Sequence, residues 1–411
     1  MAINRREFLG LGLPALGGLG ALGALGGMAA VGLTGREARA QDHGRQPLQA
    51  EEGEPAIREV RYYAAGPGYV KISTDDPDVF GWGEFTTVPD HGIKRAFVQW
   101  LSGLLIGVNP TRIEHIWQMM YRAHRNVRGG MTHLSIIGGL DMALYDLVGR
   151  LMQVPVYTLL GGPCRQWLYY YPNARAHKVT SHNLHYMVER PARVRPIAEA
   201  VRRTRERVGD NGFVMIDGHG KFTAQVAIQL CKMVEDQGVL FFEEVIPPES
   251  IEDLARVKAA TTVPLAKGER LAGLWDFRRP LEGQWVDVVN PDLVRMGGIS
   301  QMRKLGAVCE MYKVPIAPHA TQSAVGLSAT LHFSAAINNF LITEAYQHIV
   351  ERNPYAKGLS FPDNGMRLDL PPGPGLGIEV DEDRLAAADA DWEPRPLNRA
   401  YFKPDGSVAD R

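Results

Sequence analysis

The feature that most constrains this chain is a regular series of short apolar runs, each closing on polar side chains. "FVMID", "VLFFEE", "VPLAKGE", "VDVVNPD", "VPIAPH" and "FLITE" bring Asp217, Glu243, Glu269, Asp292, His319 and Glu344 to strand ends 23 to 27 residues apart. A strand plus a covering helix is roughly that long. Amphipathic helical patterns fill the gaps, at about 223–237, 250–260, 275–282, 299–312 and 324–338. Alternating β and α units imply a parallel sheet clothed in helices. Six units of one kind favour a closed barrel over an open sheet, and no GxGxxG follows any strand. The six polar side chains then project from one mouth, the C-terminal end at which barrel enzymes hold their active sites.

The residue types at that mouth suggest a chemistry. Three carboxylates on neighbouring strands, Asp217, Glu243 and Glu269, suit a hard, oxygen-preferring cation such as Mg²⁺ and leave room for water and substrate. His219 lies two positions past Asp217, so the period of a strand points it to the same side. His319 would reach the substrate from the opposite side. Each residue has a plainer reading alone: a strand-end acid is usually an N-cap for the next helix, and a single histidine is usually a satisfied polar group. The regular series favours a joint site.

The front of the chain has a different texture. Residues 1–40 carry Arg5–Arg6 followed by Phe8 and Leu9, then an uncharged Gly/Ala/Leu stretch, then "ARA" at 38–40. This reads as a twin-arginine export signal cut after Ala40, and it predicts a periplasmic protein exported already folded. The glycines make the stretch a poor membrane anchor. Residues 41–56 are polar with two prolines and read as a flexible linker. From 57 to 163 a three-run meander precedes three helical patterns, which gives an α+β domain. The barrel follows over 164–370, and 371–411 is a C-terminal segment expected to pack back on the first domain. The 45 basic and 46 acidic residues give no reason to expect nucleic acid. The run Arg202, Arg203, Arg205, Arg207, interleaved with Glu199 and Glu206, reads as a solvated helix face. Cys164, Cys231 and Cys309 form no disulfide or metal pattern and read as small buried hydrophobes.

With these motifs in hand, the sequence resembles the enolase superfamily, its mandelate racemase subgroup, and within that the D-galactonate dehydratases and related acid-sugar dehydratases. The likeness rests on "GWGE" at 81–84, "RGGMTHLSIIGGLDMALYD" at 128–146 and "LLGG" at 159–162. It continues through "DGHGK" at 217–221, "FFEE" at 241–244, "KGERLAGLWDF" at 267–277, "NPDLVRMGGIS" at 290–300, "APHA" at 317–320 and "PGLGIEVDE" at 374–382. The resemblance implies a (β/α)7β barrel with an N-terminal α+β capping domain. It implies Asp217, Glu243 and Glu269 as Mg²⁺ ligands, and His319 backed by Asp292 as general base. It implies His219 as general acid and Glu344 as a hydrogen-bonding partner of the substrate. The reaction would be loss of water from a sugar acid to give a 2-keto-3-deoxy acid. The segment Tyr62, Tyr63 and "AAGPG" at 64–68 would be the loop that closes the site and sets specificity. The protein would be a homo-oligomer with a small-molecule partner.

The sequence also departs from that family. Strand one fits "WLYYYPN" at 167–173, but no convincing apolar strand and no Lys-x-Lys segment follows before 213. The barrel is therefore expected to be abbreviated near strand two, which argues against a lysine-based racemase. Val245 stands where the family commonly has proline. Lys221 and Arg270 either meet the substrate or are solvated. His177, His182 and His185 are either surface histidines or a second metal site. Two further readings follow: a cycloisomerase or epimerase of the same superfamily, and a non-catalytic exported sugar-acid binder.

Overall fold

The computed structural model describes residues 49–86, 88, 90–181, 184, 191–362, 365–394, 401–402 and 405–409. The export-signal reading of 1–40, the linker up to residue 48, and His182 and His185 lie outside them. Residues 49–56 are not a free tether. Gln49 bridges Val108, and the Ala50 N–H donates to the Gly107 carbonyl at 3.0 Å.

The first domain is an antiparallel meander of β1 (Ile57–Tyr63), β2 (Tyr69–Thr74) and β3 (Phe80–Glu84), followed by α1 (His91–Ser102), α2 (Ile113–Arg122) and α3 (Met131–Leu151). Helix α3 is buried along nearly its whole length. The "GWGE" motif explains how β3 lies against it. A Cβ at Gly81 would sit 2.0 Å from the Ala143 carbonyl oxygen, and one at Gly83 would sit 1.9 Å from that of Gly139. Only glycine permits so close an approach. Helix α4 (Val156–Leu159) leads to the barrel.

The barrel strands are β4 (Trp167–Tyr171), β5 (Ala176–Thr180), β6 (Phe213–Asp217), β7 (Phe241–Glu243), β8 (Leu265–Lys267) and β9 (Val288–Val289). The bridged stretch around Ile316–His319 and β10 (Thr343–Glu344) complete the set. Strands β5 to β9 form one parallel sheet. Ile316 bridges Val289 on one side and Phe340 on the other, and β10 pairs in parallel with β4. The helices between are α5 (Arg195–Val208), α6 (Ala224–Val234), α7 (Asp253–Lys258), α8 (Arg278–Glu282), α9 (Leu293–Met296), α10 (Ile299–Met311) and α11 (Ala324–Ala336).

Strand two corrects the sequence reading. It is present as β5, "AHKVT", immediately after strand one, and pairs in parallel with β6 from Ala176↔Phe213 to Thr180↔Asp217. What is abbreviated is the crossover. Parallel neighbours ordinarily need a connection of about a dozen residues or more, usually helical, whereas 172–175 alone link β4 to β5. Among the described residues the two strands share no ladder, only an antiparallel bridge from Asn173 to Ala176.

The chain ends with α12 (Gln347–Arg352), β11 (Ala356–Lys357), β12 (Arg367–Asp369), β13 (Glu379–Val380) and α13 (Glu382–Ala390). Helix α13 touches the first domain. Glu382 accepts from Tyr63 and from Lys71 (2.6 Å), and Asp389 accepts from the Ala64 N–H and Arg95, both at 2.6 Å. On α5 the arginine run is exposed except for Arg205, whose guanidinium binds the carbonyls of Gly209, Gly212, Gln237 and Gly238. Cys231 and Cys309 are buried, but Cys164 is exposed. No described helix is long and apolar enough to cross a membrane.

Candidate active site

The barrel mouth collects all six strand-end residues in a small volume. Asp217 and Glu243 lie directly opposite one another on β6 and β7. Lys178, on β5, reaches between them. Its Nζ lies 3.0 Å from Asp217 Oδ2, 2.7 Å from Glu243 Oε2 and 2.9 Å from Glu344 Oε1. Burial opposes a charge there, yet the three carboxylates hold the ammonium well above the usual lysine range. Burial pushes Glu243 well up, with Lys178 pulling the other way. Glu344 is held down despite its burial, by Lys178 and His319.

The second half of the cluster is built on His319. Its Nδ1 lies 2.9 Å from Asp292 Oδ2, and its Nε2 lies 2.9 Å from Glu269 Oε2 and 3.7 Å from Glu344 Oε2. Asp292 does two jobs. Oδ1 caps α9 by accepting from the N–H groups of Val294 (2.9 Å) and Arg295 (3.1 Å), which leaves Oδ2 for His319. Burial opposes the imidazolium, but Glu269 and Asp292 raise His319 well above its ordinary value. Glu269 is correspondingly held well below the carboxylate range against its burial, by His319, Arg295 and Arg270.

His219 approaches from the other side. Its backbone sits at φ 49°, an uncommon value for a residue other than glycine. Two contacts hold it there: its N–H donates to Asp217 Oδ1 at 2.9 Å, and Arg270 donates to its carbonyl. The ring Nε2 is 3.3 Å from Asp217 Oδ2. His219 and His319 line one cleft of about 270 Å³ together with Asp217, Glu269, Glu344, Lys178, Thr180, Thr321, Tyr346 and His348.

Other expected residues fall elsewhere. Arg270 braces His219 and Glu269 (3.3 Å), and buried Lys221 donates to the Ser181 carbonyl at 3.4 Å; neither lines the cleft. None of residues 62–68 lines it either. Tyr62 meets His91 Nδ1 at 2.5 Å, and Tyr63 meets Glu382. His177 is half-buried on β5, next to the inward-pointing Lys178.

Three residues escaped the sequence reading. Lys178 was invisible because hydropathy scores an inward lysine as a non-strand residue. Tyr346 stands two positions past Glu344, as His219 does past Asp217, and the same period would have found it; its hydroxyl donates to Glu344 Oε1 at 2.8 Å. Gln322, which donates to Asp292 Oδ2 at 2.9 Å, has no sequence signal.

The donor set fits a divalent metal by its chemistry. Asp217, Glu243 and Glu269 offer hard carboxylate oxygens, and Glu243 Oε1 is buried without a hydrogen-bond partner. Among the described residues no three such side chains are arranged to grip an ion as they stand; Lys178 is the cation that Asp217 and Glu243 meet.

The site is thus a parallel barrel mouth with a histidine–aspartate pair and a second histidine on one cleft, a layout of the kind enzymes use. Comparison with known proteins agrees. Residues 67–161 match the mandelate racemase / muconate lactonizing enzyme N-terminal domain, and 173–384 match the enolase C-terminal domain-like family. The D-galactonate dehydratase of Xanthomonas oryzae pv. oryzae (strain PXO99A) is 32% identical over 389 residues, covering 86% of this chain and 99% of that one. That of Variovorax paradoxus (strain S110) is 32% identical over 386 residues, with the same coverage. A solved enolase of Agrobacterium radiobacter, a putative galactarate dehydratase bound to Na and L-malate, has a TM-score of 0.76 at 28% identity and covers 86% of this chain and 99% of its own. The chain belongs to the enolase superfamily, in its mandelate racemase/muconate lactonizing enzyme branch, and is an enzyme of the hydro-lyase class.

Proposed function

We propose that the protein is an exported acid-sugar dehydratase that uses Mg²⁺ to convert a galactonate-, gluconate- or mannonate-like acid to its 2-keto-3-deoxy product. The observation that carries this is the placement of His219 and His319 on one cleft, each tied to a different strand-end acid. Asp217, Glu243 and Glu269 would hold the metal. When bound, the ion supplies positive charge to a substrate carboxylate that must take up a second negative charge.

The chain's own residues do the rest. In its neutral form His319 would keep its Nδ1–H on Asp292 and its lone pair on Nε2, the atom that now meets Glu269, and that nitrogen would take the proton α to the carboxylate. The electron pair released forms a carbon–carbon double bond as the β-hydroxyl departs. His219 protonates that hydroxyl, so water leaves and the enol ketonises. Glu344, fixed by Lys178 and Tyr346, hydrogen-bonds the charged intermediate. A lysine on strand two is the residue a racemase would use as second base. Here all three N–H groups of Lys178 are directed at acids, which suits a neutralising role and favours elimination.

The test is a screen of purified protein with Mg²⁺ against hexonic, pentonic and hexaric acids, read as 2-keto-3-deoxy acid. Product that disappears with chelator and in His319→Asn supports the reading. Substrate binding without turnover across the library would point instead to the binder, and product without water loss to the cycloisomerase or epimerase.

A further inference from the structure

The base pair of the barrel is connected to the capping domain through a line of buried polar groups. Glu84, the last residue of "GWGE", is fully buried at the end of β3. Its Oε1 accepts from the Ser323 N–H at 2.8 Å, and its Oε2 accepts from Ser323 Oγ at 2.5 Å and the Gly326 N–H at 2.9 Å. Ser323 precedes α11 but makes no capping bond with its own side chain. The first turn of this 13-residue barrel helix is therefore capped in trans, by a carboxylate from another domain. Tyr69, also from the capping sheet, donates to Ser323 Oγ at 3.0 Å, and Asn353 donates to Tyr69 at 2.8 Å.

The adjacent residue carries the effect to the site. Gln322 is buried, and its Nε2 donates at 2.9 Å to Asp292 Oδ2, the same oxygen that accepts from His319. Packing fixes this side chain. A Cβ at Gly326 would lie 2.6 Å from the Gln322 Cβ and 3.3 Å from Glu84 Oε2, so Glu84, Gly326 and Gln322 share one tight volume. A shift of the α11 first turn would move Gln322 and change how Asp292 divides its oxygen between two donors.

We infer that Glu84 is a positioning residue for the His319–Asp292 pair, acting through the first turn of α11 and Gln322. The inference rests on the reading of His319 as the base. It gives the capping domain a part in proton transfer although none of its described residues lines the cleft. An ordinary domain-docking contact would explain the burial of Glu84. It would not explain why the held residue is next to the one that touches Asp292.

The test uses the full-length protein with Glu84→Gln, Gln322→Met and Ser323→Ala. The first readout is the hydrogen-bonded Nδ1–H signal of His319 in ¹H–¹⁵N spectra, identified by its loss in His319→Asn. It needs no substrate, so it decides the inference even if no sugar acid is turned over. The second is steady-state kinetics on whichever acid the enzyme accepts. Glu84→Gln puts an amide NH₂ against the Ser323 and Gly326 donors. It should shift or broaden the His319 signal and lower kcat at least tenfold, with KM within about twofold. Gln322→Met should do the same without touching the capping domain, and the double variant should be no worse than Gln322→Met alone. Ser323→Ala should give a smaller change of the same sign. If Glu84→Gln fails to fold, the other two variants decide. A His319 signal and kcat unchanged in Gln322→Met and Ser323→Ala, or in a folded Glu84→Gln that is merely less stable, would overturn the inference.

Discussion

Lys178 shows how much one side chain can carry at a barrel mouth. Its side chain is 4% exposed, and its ammonium lies within 3.0 Å of Asp217, Glu243 and Glu344. Removing one partner of such a buried ion group typically costs about 3–5 kcal/mol, because the remaining charges stay buried and unmatched. Lys178→Met should therefore destabilise the protein by about that much in urea unfolding at neutral pH. Adding Glu344→Gln removes one of the stranded charges. The double variant should recover at least ~1 kcal/mol relative to additivity; strictly additive losses would show that Lys178 and Glu344 do not interact as drawn. Tyr346→Phe is a milder probe. It deletes one neutral donor to Glu344 Oε1 while Lys178 keeps its hold. Activity should fall by about tenfold, the scale of one hydrogen bond to a charged group, with folding midpoint nearly unchanged. A variant as active as wild type would make the tyrosine part of the wall only.

Helix α11 carries a buried titratable side chain. His332 is fully buried on it, and its Nδ1 accepts from the Tyr157 N–H on α4 at 3.2 Å. Burial pushes the imidazole down to about 4. The folded protein keeps it neutral, while the unfolded chain takes up a proton near pH 6.5. Stability should therefore be fully present above about 6.5 and decline as pH falls towards 4, by about 3 kcal/mol in total. His332→Asn keeps an acceptor for Tyr157 but cannot protonate. Urea unfolding across pH 4.5–7 should show wild type losing stability faster than the variant. Parallel curves would remove His332 from the acid response. The six strand ends were legible because apolar runs of constant spacing leave few other folds, and period two placed His219 beside Asp217. Strand β5 was not legible, because its inward positions at the mouth are Lys178 and small residues rather than a hydrophobic stripe. The missing crossover leaves no apolar or helical signal of its own, so the abbreviation was placed in the strand instead. Glu84 reaches Ser323 and Gly326 across more than 200 residues of chain, and Gln322 reaches Asp292 across 30, which no local pattern records.

At the scale of the whole molecule the mouth is short of positive charge. Asp217, Glu243, Glu269, Asp292 and Glu344 converge there, and Lys178, Arg270, Arg295 and His319 answer them. Glu243 is the least satisfied, with one oxygen on Lys178 and the other unpartnered. A divalent ion taken up by the folded chain alone stabilises it by mass action, by about 2.7 kcal/mol at a hundredfold excess over Kd. Saturating Mg²⁺ should therefore raise the thermal midpoint by a few degrees, and chelator should return it. Glu243→Gln should abolish the shift. Glu84→Gln should preserve it, because the capping-domain line ends on Asp292 rather than on the proposed ligands. A midpoint that ignores Mg²⁺, or that moves equally in Glu243→Gln, would remove the metal from this site. A shift lost in Glu84→Gln would mean that the capping domain shapes the metal pocket itself. With substrate absent throughout, calorimetry of these three proteins separates ion binding from turnover, and so tests the electrostatic half of the proposed chemistry independently of its substrate.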